Sequence, residues 1–290
     1  MRIPSHFGFV LSGIAVVATV AGCAGSGSQM PTTSAQIAPH GQSIRNMQSH
    51  AASVLLSNAS QAHQTDFVDV AAVNAPHGNQ TIVSDSNTNT VSVYGADGHR
   101  HAVLSSGLSQ PEGITTDAAE NLYVANAQLH NVVVYSKPYR SIGLTLDDPN
   151  EYPTDVAVSN IGVVGVMNIQ STAGTGGAVL IYAKGSTSAC ATITDPNWSG
   201  MYFGAFDASG NLFLDGFDRN GNTLIGEISG GCAATSIATL STGVIIYLVG
   251  GVQVYNGNIL IEDQVGPGGP LGTNTPTIYT FSPPTGGSLW

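Results

Sequence analysis

The sequence predicts an all-β fold, a β-propeller of four-stranded blades, and three observations carry that prediction. The first is a repeating unit, clearest in PEGITTDAAENLYVANAQLHNVVVY from Pro111 to Tyr135. It reads as a strand, a tight turn, a second strand, a looser turn and a third strand, each strand short and β-branched or aromatic. The second is recurrence. The second strand returns as TIVSD, VGVMN, NLFLDG and NILIED, and the third ends in a column at Tyr94, Tyr135, Tyr182, Ile228 and Phe281. Those positions lie 41 (94 to 135), 47 (135 to 182), 46 (182 to 228) and 53 (228 to 281) residues apart. A period of about 40–50 residues with short strands marks propeller blades rather than helical solenoids. The third is a fourth strand after each of the first four hairpins, at His101 to Leu104, Ile142 to Leu146, Ala191 to Thr194 and Ser236 to Leu240.

Both faces of the central strands are apolar: Leu122, Tyr123 and Val124 cannot all point one way. Such sheets must stack on neighbours, which separates a propeller from a two-layered β-sandwich. Small residues on the first strands (Ala71, Thr115, Ala157, Ala205) suit the crowded axis. Five blade units are readable. After Phe281 only SPPTGGSLW remains, so the fifth lacks an outer strand. Either Ala51 to Leu56 supplies it, or the chain is a truncated six-bladed propeller.

Residues 1–22 read as a targeting segment, with Arg2 before the apolar run Phe7 to Val20. The run is short for a membrane span. It ends Val20-Ala21-Gly22-Cys23, which resembles a bacterial lipobox and implies lipid on Cys23. Ala24 after the cysteine implies outer-membrane sorting where a cell has two membranes. Residues 23–62, rich in Gly, Ser, Gln and Thr, read as a flexible tether. Residues 63–290 are the propeller.

The repeat PEGITTDAAENLYVANAQLHNVVVY resembles an NHL-type unit, and the chain from about Asp66 to Phe281 is similar to virginiamycin-B-lyase-like and gluconolactonase-like propellers. The resemblance implies the fold. It implies little about activity, because propellers host many unrelated functions. Lyases of that group place a catalytic histidine in later blades, whereas all eight histidines here lie at or before His130.

Composition narrows the function. With 36 Gly, 14 Pro and 9% charged residues, the chain is turn-rich and globular. The formal charge is −11 and the seven Lys and Arg form no basic stripe, which argues against a nucleic-acid partner. No Gly-x-Ser-x-Gly, Cys-x-x-Cys or phosphate-cradling loop occurs, and no cofactor is implied.

Several residues remain as candidates. Tyr152, Trp198 and Tyr202 fall in connectors entering first strands, which a propeller gathers on one face with Glu112 and Asp155. Exposed aromatics beside acids would suit a ligand or partner. For Trp198 the other reading is a plug between blades. Asp69, Glu112 and Asp155 are weak metal candidates, placed as the acids of gluconolactonase-like propellers are. Asp147, Asp148, Asn150, Glu151 and Asp155 form the densest acidic stretch. Carboxylates and amides at this density could hold calcium, but the stretch lacks the Gly and terminal Glu of an EF-hand, so a partly solvated turn with Asx caps is the expectation. Asp85, Asn126, Asn168 and Asp263 end successive second strands and are expected to cap turns. His99 and His101 share one strand face, as a solvated rim or a metal pair. Cys190 and Cys232 either form a disulfide, which export would permit, or stand apart as small hydrophobes.

These readings lead to a monomeric cell-envelope lipoprotein whose propeller binds an unidentified ligand or envelope protein. It touches the membrane through its lipid only. The alternative is a metal-dependent lyase or lactonase with its site at the axis.

Overall fold

The computed structural model describes residues 70–75, 78–266 and 276–282. The segment 1–22, Cys23, the tether, Ala51 to Leu56 and Asp69 lie outside the described residues. Five antiparallel sheets, each made of consecutive strands, succeed one another as a five-bladed β-propeller. Blade 1 comprises β1 (Val70–Ala75), β2 (Gly78–Asp85), β3 (Thr90–Tyr94) and β4 (Arg100–Leu104). Blade 2 has β5 (Pro111–Thr116), β6 (Leu122–Asn126), β7 (Asn131–Tyr135) and β8 (Ile142–Asp147). Blade 3 has β9 (Glu151–Val158), β10 (Val164–Ser171), β11 (Val179–Tyr182) and β12 (Ala191–Ile193). Blade 4 has β13 (Trp198–Phe206), β14 (Leu212–Asp218), β15 (Thr223–Ile228) and β16 (Ala238–Leu240). The fifth has three strands among the described residues, β17 (Val252–Tyr255), β18 (Asn258–Asp263) and β19 (Thr277–Phe281).

The turns follow from local chemistry. Asp117 Oδ1 accepts the N–H groups of Ala119 and Asn121, and its Oδ2 accepts the Asn121 side-chain amide. The same Asp-to-Asn clasp returns at Asp207–Asn211 and Asp218–Asn222. Each clasp shapes its own turn and sets the register of the strands it joins.

Packing shows why the strands are apolar on both sides. On β6, Leu122 and Val124 pack with Ile82, Val91 and Val93 of blade 1. Tyr123 and Ala125 of the same strand pack with Val156, Val164 and Val166 of blade 3. Further cores join blades 3 and 4 and blades 4 and 5.

The repeated aromatic column has a second use. Tyr135 donates its hydroxyl to Ser106 O at 2.8 Å, and Tyr182 donates to Asp147 O at 2.6 Å, each reaching the chain that leaves the preceding blade. Blade 4 has Ile228 at this position and cannot repeat the bond. There the Cys190–Cys232 disulfide joins the rims of blades 3 and 4 across 42 residues of sequence. A loop of that length lowers the entropy of the unfolded chain by about 4 kcal/mol.

Trp198 is 1% exposed and sits in the core between blades 3 and 4. Two glycines make its slot: a Cβ on Gly216 or Gly226 would lie 2.9 or 2.8 Å from the indole ring. Of the two readings of the sequence, the interior plug describes Trp198. Replacement of Trp198 by Ala is expected to cost about 3–5 kcal/mol through the cavity left behind, measured by chemical unfolding. A loss under about 1 kcal/mol would show that the slot collapses without penalty or was never tightly filled.

Candidate functional site

Each inner strand of blades 2, 3 and 4 breaks its ladder at the same level. The shifts fall between Pro111 and Ile114 on β5, between Pro153 and Asp155 on β9, and between Met201 and Gly204 on β13. A bulge re-aims side chains out of the sheet and is common beside binding sites. The registers make Ile114, Val156, Gly204 and Val252 equivalent, opposite Val124, Val166, Leu214 and Ile261. Two residues earlier stand Glu112 on β5, Thr154 on β9, Tyr202 on β13 and Gly250 just before β17. These strands pack against one another in sequence, β5 on β9, β9 on β13 and β13 on β17.

The four positions do different work. Thr154 is structural: its hydroxyl lies 3.1–3.2 Å from the carbonyls of Met167, Met201 and Tyr202. Gly250 donates its N–H to Asp215 Oδ2 at 3.1 Å. Glu112 is different. It is only half-buried, yet the protein crowds it enough that burial pushes its carboxyl up to about 8. No hydrogen bond or ion pair holds that carboxyl among the described residues. Tyr202, two blades away in sequence, feels the Glu112 charge, and burial is the main reason its phenol is raised. The Tyr202 hydroxyl is buried without a hydrogen-bond partner. Its ring is fixed edge-on against Phe217, centroids 5.4 Å apart, beside Val249.

Asp155 stands one residue beyond this level and belongs to the framework. Its Oδ2 accepts the Gly204 N–H at 3.0 Å, and its Oδ1 lies where a Cβ on Gly113 would be, 2.3 Å away. It thus ties blade 3 to blade 4 against the backbone of blade 2. The metal set suggested by sequence therefore has Asp155 committed to a backbone amide and Asp69 outside the described residues.

A second polar cluster lies between blades 2 and 3 at the end where connectors enter the inner strands. His130, in the turn between β6 and β7, brings Nδ1 within 2.6 Å of Glu151 O. A carbonyl can only accept, so Nδ1 carries the hydrogen, and in the neutral ring Nε2 is an acceptor. Its ring meets Tyr152 edge-on at 4.7 Å. Asp148 is fully buried, and Glu151 and Tyr152 are half-buried. Burial pushes the carboxyls of both Asp148 and Glu151 up to about 7, with the Glu151 charge adding to the shift at Asp148.

The column at the ends of second strands does mostly what sequence chemistry suggests. Asp85 accepts the N–H groups of Asn87 and Thr88 and closes its turn. Asn126 accepts Ser109 N–H at 2.6 Å and donates to Gly107 O, while Asp263 accepts from Tyr247, Leu248 and Val265. The last two clamp the connector that enters their own blade. Asp215, one residue before the column, was not a sequence candidate; it accepts N–H groups from Phe203 and Gly250. Burial raises its carboxyl and those two donors pull it back.

Of the residues the sequence grouped on this face, Glu112 acts electrostatically on Tyr202, and Tyr152 stands in β9 rather than in the connector before it. Sequence reasoning described Tyr202 as exposed, whereas the ring is 8% exposed because Phe217 and Val249 enclose it. It passed over His130 as a site residue. The signal was available only by noticing that a β6–β7 turn and the next connector share one end of the propeller. His101 pairs with Asp97 at 3.2 Å and belongs to a rim groove of about 770 Å³ that also includes Lys137 and Arg140. Lys137 is itself paired with Glu120.

No family model matches this sequence, and no curated protein matches it. Solved structures do resemble it. Virginiamycin B lyase from Staphylococcus aureus aligns with a TM-score of 0.54 at 13% identity, over 72% of this chain and 69% of that one. The likeness is one of fold. Hydrazine synthase of Kuenenia stuttgartiensis aligns at 0.59 with 15% identity, over 75% of this chain and 64% of that one. A gluconolactonase from Xanthomonas campestris aligns at 0.54 with 14% identity, over 78% and 75%. At such identities the shared property is the propeller, and the chemistry must be read from the site.

The site has a pH signature. Glu112 titrates near 8 when folded and near the ordinary glutamate value when unfolded. The folded state therefore binds more protons in between, and stability falls as pH rises from about 5 to 8. Glu112→Gln is expected to flatten that fall, measured by urea unfolding at several pH values. An unchanged slope would show that Glu112 already ionises at its ordinary value.

Proposed function

We propose that this chain is a ligand-binding propeller whose site is the connector end of the axis, with Glu112 as the recognising group. One observation carries the reading: where three inner strands bulge together, the charge of Glu112, a carboxyl raised by burial, acts on the Tyr202 phenol, which is buried without a hydrogen-bond partner. Leaving the buried Tyr202 hydroxyl unsatisfied costs about 1–3 kcal/mol, a cost a bound polar ligand would recover. The chain is acidic and Glu112 has no cationic partner, so a ligand presenting an amine or several hydroxyls fits best. Tyr152 with the free Nε2 of His130 supplies an aromatic and acceptor rim for the same ligand.

The test is a binding screen of amino sugars, oligosaccharides and cationic peptides, followed by variants. Glu112→Gln and Tyr202→Phe should each weaken a hit by about tenfold or more. A hit unaffected by both changes would move the site elsewhere.

A second reading has its own support. A carboxyl titrating near neutrality suits a general acid or base, and the fold's neighbours include proteins named lyase and gluconolactonase. Turnover of a lactone or cyclic-peptide substrate that is lost in Glu112→Gln would establish it; binding without turnover supports the module.

The cell-envelope location is part of the same proposal and rests on Val20-Ala21-Gly22-Cys23 and the tether after it. Intact mass of the mature protein should show a lipid-bearing Cys23, and Cys23→Ser should release the protein from membranes. Continued membrane association of that variant would refute the anchor.

A further inference from the structure

Three buried oxygens have no hydrogen-bond partner where the β8–β9 connector meets blade 3: Asp148 Oδ2 in the connector, Glu151 Oε2 at the start of β9 and Asn168 Oδ1 on β10. Asp148 and Asn168 are both 0% exposed. Orphan oxygens at this depth are rare singly, and three in one place call for an occupant. The side chains are also held in position. Asn168 donates Nδ2 to Ala178 O at 3.0 Å and points it at Asp148 Oδ1, 3.5 Å away. That fixes the amide and leaves its Oδ1 as the free acceptor. The Ala178 N–H is directed at the Glu151 carboxyl, so one residue of β11's approach orients two of the three groups. The surrounding backbone is fixed as well: His130 O accepts the Asp148 N–H, and Asn150 O accepts the Thr172 N–H.

The donor set is two carboxylates and one amide oxygen, with no nitrogen or sulfur. No Lys or Arg is among the groups acting on either carboxyl. Oxygen donors with a formal charge of −2 select a hard divalent cation over zinc or copper. We propose that Asp148, Glu151 and Asn168 form a calcium site that clasps blade 2 to blade 3. Glu151 is half-buried while Asp148 and Asn168 are not exposed, so Glu151 is the ligand nearest solvent, beside which an ion and its waters would enter. Among the described residues no group of three or more His, Cys, Asp or Glu is placed to hold a metal ion. The third ligand here is an asparagine. This site is separate from Glu112, so it stands or falls apart from the axial reading.

The experiment uses the full chain stripped with a chelator and titrated with calcium chloride by calorimetry, with thermal unfolding in parallel. Calcium should bind at about one ion per chain and raise the melting temperature. Asp148→Asn and Glu151→Gln should each weaken binding by about tenfold or more and remove the thermal shift. Asp147→Asn, an exposed neighbour in the same connector, should change neither, and Glu112→Gln should leave calcium binding intact. No heat of binding and no thermal shift at millimolar calcium in the unaltered chain would overturn the proposal. So would a shift that survives in both Asp148→Asn and Glu151→Gln, or one lost in Glu112→Gln.

Discussion

A sheet that is apolar on both faces cannot stand alone in water, and everything else in this molecule answers that constraint. Leu122 and Val124 look one way from β6 and Tyr123 and Ala125 look the other, so blade 2 is complete only between blades 1 and 3. Burial of such side chains contributes about 1.5–3 kcal/mol each. Stacking is non-directional, however, and does not by itself fix how one blade sits on the next. Directional ties do that: the Tyr135 and Tyr182 hydroxyls between blades 1, 2 and 3, the disulfide between 3 and 4, and Asp215 to Gly250 between 4 and 5. The disulfide stands at the junction where the tyrosine column gives way to Ile228.

The polar interior divides into groups that are satisfied and groups that are not. Asn126, Asp155, Asp215 and Asp263 are buried, and each accepts backbone N–H groups that would otherwise be stranded at bulges and connectors. Their work is architectural. Glu112 with Tyr202, and Asp148 with Glu151 and Asn168, have no such explanation. Each of these sets keeps at least one buried oxygen with no hydrogen-bond partner, where the fold's other buried acids are met by backbone donors. That contrast, more than any motif, is what the proposed ligand site rests on.

Much of the architecture was legible because it is periodic. The second and third strands of every blade, and the outer strands of the first four, were readable from alternation and from Asp-to-Asn turn signals, which act over five residues or fewer. The contacts between blades were much less so. Trp198 reads equally as an exposed anchor or a plug until Gly216 and Gly226, 18 and 28 residues on, are seen to form its slot. Asp148 reads as a turn residue until Asn168, 20 residues away, is seen to leave an oxygen beside it. The Glu112–Tyr202 encounter spans 90 residues (112 to 202) and depends on bulges that no local pattern announces.

The central claim is that Glu112 is an unsatisfied carboxyl held by the axis for a ligand. Its own titration, followed by carbon-13 NMR of the labelled side-chain carboxyl, measures this directly. The account predicts a midpoint near 8, moving when a ligand engages the connector end. A midpoint in the ordinary glutamate range, about 4.3, would mean that solvent or an unseen partner already satisfies it, and would contradict the account.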